Sequence, residues 1–379
     1  MGTAESALPA TIVNSAMRRL HLPALLAALA LTLWSGSKKD QTQTLQLPKE
    51  TPAAVTAETR RLVFHVSPLS AKGLLSQQTR DALKWVLHAS NGTVVKLRAF
   101  VAGTGDLRRV RELVSETFTA HNQPLPVVTV VQVGALPLEG AQVVLESAAV
   151  AKKETTGYGL VYISGQAAAG KAPLDPVLPL ARQSLDRLAT AVKAAGSEPA
   201  DVLRVTCFLS SLDRYAEIRG MAESSYATAS LDFVQIQRAP TRAMAECEAV
   251  ARLRWNTGTP LHMLNPEGLP ESPQVSQIAL IGAPEVILTG SQEAFGLQDA
   301  DARLAFDRLR KSLAHEGGSF KALAFASFYP LSGSIAEQVR KIRRDYFDAA
   351  RPPAGTMLPF EGLPSMDASF AMDGVAVKQ

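Results

Sequence analysis

From residue 60 onward the apolar positions change period in a fixed order, and that order recurs three times. Short β-rich runs at residues 62–66 (LVFHV), 160–164 (LVYIS) and 286–290 (VILTG) read as strands. Each leads into helical spacing: Ala82, Leu83, Val86 and Leu87 in the first unit, Leu185, Leu188 and Val192 in the second, Phe306, Leu309 and Leu313 in the third. A second strand follows at 95–101, 203–209 and 323–329, with Phe100, Phe208 and Phe328 in matching places. Then come second helices with apolar faces Leu107/Val110/Val114, Tyr215/Ile218/Ala222 and Ile335/Val339/Ile342/Tyr346. Each unit closes with two strands separated by a turn at Pro137, Pro240 or Pro364.

This order predicts an α+β protein of three tandem β-α-β-α-β-β units, each about 100 residues, the size of one small domain. The units span 60–152, 153–256 and 257–379, after a signal segment and linker at 1–59. Two helices on one face of a sheet leave the other face uncovered, and an apolar sheet face must be buried somewhere. Three such faces in one chain cover each other as a pseudo-threefold barrel, an intramolecular pseudo-trimer. In the closing strand of the second unit, alternation sets Cys247 on one face and Glu246 and Glu248 on the other. With Cys247 in the core, the acids line the face that the helices leave open.

Composition narrows the function. The 379 residues are 46% hydrophobic and 20% charged, with 25 Gly and 23 Pro, which excludes collagenous, low-complexity or wholly disordered chains. A formal charge of +4 and 6% aromatics argue against nucleic acid as a partner. The two cysteines, Cys207 and Cys247, exclude a disulfide scaffold and a zinc cluster. They lie on separate strands of one unit, so a disulfide needs those strands to be neighbours; the helix-covered side expected for Cys247 favours two buried thiols. No Gly-rich phosphate loop, Ser-His-Asp spacing or HExxH is present, and no cofactor is expected. The Asn91-Gly92-Thr93 triplet fits a glycosylation sequon and equally a turn.

Met17, Arg18 and Arg19 precede an apolar run at 20–34, closed by Ser35, Gly36 and Ser37. This is the layout of a secretory signal, with translation starting at Met17. The run is shorter than the ~20 residues of a spanning helix and contains Pro23, so a cleaved signal is favoured over a permanent anchor. The expected location is periplasmic or secreted, without stable membrane insertion after cleavage. An uncleaved anchor, or a buried helix of the fold, is the alternative.

Residues 162–166 (YISGQ) and 181–186 (ARQSLD) resemble the strand-end and first-helix signatures of the reactive intermediate deaminase family, also called Rid or YjgF and formerly L-PSP endoribonuclease. Residues 128–150 resemble the family's closing hairpin, and residues 275–292 its opening hairpin, which is missing from the first two units. The resemblance implies a chorismate-mutase-like fold. It also implies trimeric assembly with a small-molecule cleft at each interface, which here one monomeric chain supplies by itself.

The family's deaminases hydrolyse 2-imino acids, and an arginine on the first closing strand holds the substrate carboxylate through its planar fork of donors. By resemblance that arginine falls at Val128, Leu231 and Gly355, none of which binds a carboxylate. The family's water-positioning acid falls at Glu146, Glu248 and Asp373, and the opening-hairpin tyrosine at Val275. Ser164 keeps the family's serine, whereas Val66 and Gly290 replace it elsewhere. The acids either act on water or a ligand in an apolar cleft, or pair with donors at the seam between units. Arg98, Arg238 and Arg242 are the candidate replacement cations, and His65 is a base or a hydrogen-bonded rim residue.

Three functions follow. The first is an exported protein that binds a small molecule in clefts between its units. The second is an imine or enamine deaminase, or related hydrolase, using Glu248 and Ser164. A nuclease ranks last, because no basic stripe interleaved with aromatics exists.

Overall fold

The computed structural model describes residues 48–379. The expected signal segment lies outside the described residues. After strand β1 (Ala54–Glu58), the first unit runs β2 (Leu62–Val66), α1 (Leu75–Ser90), β3 (Gly92–Ala102), α2 (Leu107–Ala120), β4 (Val127–Val133) and β5 (Val143–Ala151). The second runs β6 (Leu160–Ala169), α3 (Val177–Ala194), β7 (Val202–Leu209), α4 (Tyr215–Ser225), β8 (Ser230–Gln235) and β9 (Met244–Arg252). Strands β10 (Leu261–Leu264) and β11 (Ile278–Ile281) follow. The third unit is β12 (Glu285–Thr289), β13 (Gln292–Phe295), α5 (Asp299–His315), β14 (Leu323–Pro330), α6 (Gly333–Ile342), β15 (Ala354–Met357) and β16 (Ala368–Val377).

The fold is α+β, as the pattern predicts, with three sheets in the described residues. Local signals set the helix ends. Asp106 accepts from the Arg108 amide at the start of α2, and Ser332 from the Ile335 amide at the start of α6. Asn91 ends α1 at φ 42°, a left-handed position that Asn tolerates, while Gly92 and Thr93 of the sequon triplet already belong to β3.

Pairing departs from expectation in two ways. The closing strands are not a hairpin: in the first sheet the order is β2-β5-β3-β4, so β3 separates them, parallel to β4 and antiparallel to β5. The link at residues 134–142 is long enough to cross the end of β3 and return on its far side. Residues 275–292 are not a hairpin either. β11 pairs antiparallel with β6 of the second unit, while β12 pairs with β16 of the third and with β1. The second sheet is thus extended by strands that follow its unit, and the third by a strand that precedes the first unit.

Each sheet covers its outer face with its own helices, through cores built around Leu83 and Phe118, around Leu188 and Ile218, and around Phe306 and Leu309. The inner faces meet. One inner cluster joins Leu62, Phe64, Tyr162, Leu288 and Phe325, and another joins Phe100, Phe208, Tyr329 and Phe360. Residues from all three units contribute to both. Tyr329, not Phe328, is the counterpart of Phe100 and Phe208, because alternation along β14 turns Phe328 outward under α5. A register shift between Leu323 and Phe325 precedes it.

Cys207 and Cys247 form a disulfide, which corrects the expectation of two free thiols. They stand directly opposite each other on β7 and β9, with Cα atoms 4.1 Å apart. Cys247 does face the helix-covered core, and Glu246 and Glu248 face inward.

Candidate functional site

Between the two inner clusters lies a belt of buried charge. Glu146 pairs with Arg98 on the neighbouring strand β3, and Arg98 Nη2 continues to Glu248 Oε1 of the second unit at 2.7 Å. Arg204 approaches the same two acids at 3.2 and 3.7 Å. Glu146 also accepts from Thr206, and Glu248 from Thr356 of the third unit at 2.6 Å. Asp373 accepts from Lys96 (2.8 Å) and Thr129 (2.6 Å) of the first unit and from Tyr329 (3.1 Å). The three acids occupy equivalent strand positions, opposite Arg98, Thr206 and Ser327.

Two of the acids bind a hydroxyl on the edge strand of the next unit. Thr129 serves Asp373 and Thr356 serves Glu248; the register places Asp232 at the same position opposite Glu146. Burial, and then the charge of Glu146 beside it, push the Asp232 carboxyl well above its ordinary range. Asp232 thus stands where the two threonine hydroxyls donate, with its Oδ2 unpartnered among the described residues. Burial alone would raise Glu146 as well, but Arg204 and Arg98 outweigh it and hold Glu146 below its ordinary value. Lys96 moves down, because burial outweighs its pairing with Asp373. The hole within the belt measures about 30 Å³, room for about one water and not for a metabolite.

The remaining sequence candidates scatter. Ser164 Oγ donates to the Ser276 carbonyl at 2.6 Å and accepts from the Gly355 amide at 2.8 Å, so it ties the second unit to the third. Arg98 sits in the belt. Arg242 is exposed, and Arg238 lies at a surface groove beside the start of α3 with its Nε on the Gly134 carbonyl. His65 stands edge-on to Trp85, its pKa lowered by burial.

Three interfaces repeat around the belt. The end of β2 meets β8, where Ser230 Oγ donates to the Phe64 carbonyl. The end of β6 meets β15 through Ser164. The turn after β12 meets β4, where the Ser291 amide donates to the Val128 carbonyl. Residues 128, 231 and 355 stand on these edge strands, and at Gly355 any Cβ would strike the Ala326 carbonyl. No side chain fits there.

The interfaces differ in filling. Between the first two units a cleft of about 460 Å³ remains, walled by Val66, Leu69, Leu138, Val144 and Leu231, with Ser67, Tyr215, Arg219 and Asp232 as its polar groups. At the interface of units 2 and 3, Glu246 is buried against Gly165, where a Cβ would collide with its carboxylate. Among the described residues it has no hydrogen-bond partner, and burial followed by Glu248 pushes it up to about 8, against a weaker pull from Arg340. Gln166 beside it leaves a buried Oε1 unpaired. The sequence already set Glu246 on the face of Glu248; what it hid was which of the two acids is committed. At the interface of units 3 and 1, Arg111 closes the gap by binding Ser291 and Glu293. No cluster of three or more metal-binding side chains exists among the described residues.

These features define a class: a tandem α+β protein with an ionic centre and divergent clefts at its unit interfaces. The profile of the endoribonuclease L-PSP family matches residues 154–256. The 2-iminobutanoate/2-iminopropanoate deaminase of Escherichia coli strain K12 is 32% identical over 87 residues, covering 22% of this chain and 67% of the relative. The chain belongs to the reactive intermediate deaminase (Rid/YjgF) family, which supports a small-molecule-binding or deaminase-like role. Similar solved structures include the YjgF gene product of E. coli (30% identity, 25% of this chain and 81% of that one, TM-score 0.22). A Rid protein, YyfB of Yersinia pestis, matches at 26% identity over 27% of this chain and 83% of that one, TM-score 0.22.

Proposed function

We propose that this protein is an exported small-metabolite binder in which three Rid-like units make a pseudo-trimer within a single monomeric chain, the ligand entering the cleft between units 1 and 2. The carrying observation is that cleft: about 460 Å³, with Ser67, Tyr215, Arg219 and Asp232 set among apolar side chains, within the size range of a metabolite site. The family's carboxylate-binding arginine is absent at Val128, Leu231 and Gly355, and Glu146, Glu248 and Asp373 are saturated by protein donors. Both argue against imino-acid hydrolysis. The disulfide fits an oxidising compartment, in line with the signal-like segment at residues 17–37. Thermal stabilisation by a metabolite panel tests the reading: at least one compound raises the melting temperature of the wild type and fails to do so after Leu231→Trp, which fills the cleft. Binding that ignores Leu231→Trp contradicts it.

Glu246 supports a second reading, hydrolysis of an imine at the interface of units 2 and 3. A buried, unpaired carboxyl with a pKa of about 8 is suited to moving a proton near neutrality. Turnover abolished by Glu246→Gln and kept in Leu231→Trp would favour it.

A further inference from the structure

The first strand of each unit stands at the same place in its sheet, but only two of the three have a neighbour on both sides. β6 lies between β9 and β11, and β12 between β16 and β1, while β2 pairs with β5 alone and ends its sheet. Both added strands come from outside their unit and run antiparallel. The amides show the same difference. Ser164 donates to the Gln277 carbonyl at 2.9 Å and Gly290 to the Ala53 carbonyl at 3.0 Å. Val66, which answers to both, donates to nothing among the described residues, and neither does Phe64, the counterpart of Tyr162 and Leu288. The Ser67 amide is bound to the Leu145 carbonyl of the link before β5, so alternation turns those of Phe64 and Val66 away from β5.

Native sheets blunt such an edge with charge, proline or a bulge. Residues 62–66 (LVFHV) contain no Lys, Arg, Asp, Glu or Pro, and their register with β5 runs without a shift. The start of the edge is covered, because Thr155 in the link between units binds the Arg60 and Leu62 carbonyls. The stretch from Phe64 to Val66 stays open. There the Phe64 carbonyl takes the Ser230 hydroxyl and keeps a second lone pair. On the helix side of the same stretch His65 has a buried Nδ1 without a partner, and Trp85, 36% exposed, stands edge-on to its ring. The strands that fill the other two positions show what fits: residues 278–281 (IALI) and 54–57 (AVTA) hold no charge and no proline.

We propose that the open edge of β2 is a docking site for a partner protein, which adds an extended, uncharged, proline-free segment antiparallel to residues 64–66, as β11 adds to β6 and β1 to β12. The contact is backbone to backbone. The segment's carbonyls accept from the Phe64 and Val66 amides, and its amides donate to the carbonyls of the same two residues. This goes beyond the metabolite reading and does not depend on it, since none of the polar side chains of the cleft takes part.

The test uses the full chain and an acetylated, amidated peptide of residues 275–282 (VSQIALIG), the segment that fills the position beside β6. Residue-resolved hydrogen exchange of the protein alone should show the Phe64 and Val66 amides exchanging at least about a hundredfold faster than those of Tyr162, Ser164, Leu288 and Gly290. Saturating peptide should slow both by at least about tenfold. The same peptide N-methylated at the positions of Gln277 and Ala279 should not bind in calorimetric titration. Val66→Pro removes a free amide and no bond to β5, so it should weaken the peptide by about tenfold while the chain still melts cooperatively. If that variant does not fold, exchange in the wild type decides alone. Equal protection of the three first strands in the protein alone overturns the open edge. A peptide that fails to bind, or binds without slowing Phe64 and Val66, overturns the docking site; binding lost in Leu231→Trp with those amides unchanged puts the peptide in the cleft and overturns it too. Protection of Phe64 and Val66 that rises with protein concentration, together with a dimer in light scattering, would make the occupant a second copy of this chain and overturn a foreign segment.

Discussion

Asp232 shows how one position can carry the same bond with different chemistry. Its counterparts Thr129 and Thr356 donate hydroxyls to Asp373 and Glu248; the same bond to Glu146 requires a proton on Asp232, the direction in which burial and Glu146 push it. A carboxyl raised in the folded state contributes stability that is fully present below its unfolded value of 3.8 and is lost as pH rises toward the folded value. Asp232→Thr supplies a donor at every pH, so its melting temperature should exceed that of the wild type increasingly above about pH 4. A variant that melts below the wild type at pH 7 would show that Asp232 is ionised. Glu246 obeys the same sign. With a folded value of about 8 against an ordinary 4.5, its contribution falls across that interval, by about 1.4 kcal/mol per pH unit at most. Glu246→Gln should flatten the pH dependence of chemical denaturation between those limits. Arg98 bridges two units, and Arg98→Met leaves the buried Glu146 and Glu248 short of a partner, at a cost of about 3–5 kcal/mol. A loss below about 1 kcal/mol in denaturant titration would contradict a structural belt.

At the scale of elements, strands and helices were legible because their periods are local, whereas strand partners were not. Residues 278–281 read as a strand, but whether it turns back on β12 or leaves for β6 depends on where the 265–277 loop leads, and no period encodes that. The same holds for β1, whose partner β12 lies more than 200 residues away. Alternation correctly set Glu246 and Glu248 inward, yet the commitment of Glu248 rests on Arg98 and Thr356, each supplied by another unit. The disulfide was open for a related reason: Cys207 and Cys247 are joined only once β7 and β9 are known to be neighbours in that register. Closing a loop with a sequence separation of 40 restricts the unfolded chain by about 4 kcal/mol in the chain-entropy account. Reduction under mild denaturant, or Cys207→Ala with Cys247→Ala, should lower the denaturation midpoint accordingly. An unchanged midpoint would mean that the bridge does not form.

For the whole molecule, fusion allows three related interfaces to diverge. One is sealed by Arg111, one buries an unpaired Glu246, and one stays open beside Arg219. A chain that assembles the pseudo-trimer alone should run as one copy in light scattering across protein concentration, and a trimer of chains would contradict the arrangement. The central claim, that the clefts bind and do not hydrolyse, is tested most directly by one assay: purified protein with freshly generated 2-aminoacrylate and a panel of 2-imino acids, following ammonia release beside an arginine-containing deaminase of the family. The account predicts release no faster than without protein. Release near the rate of the deaminase would contradict it.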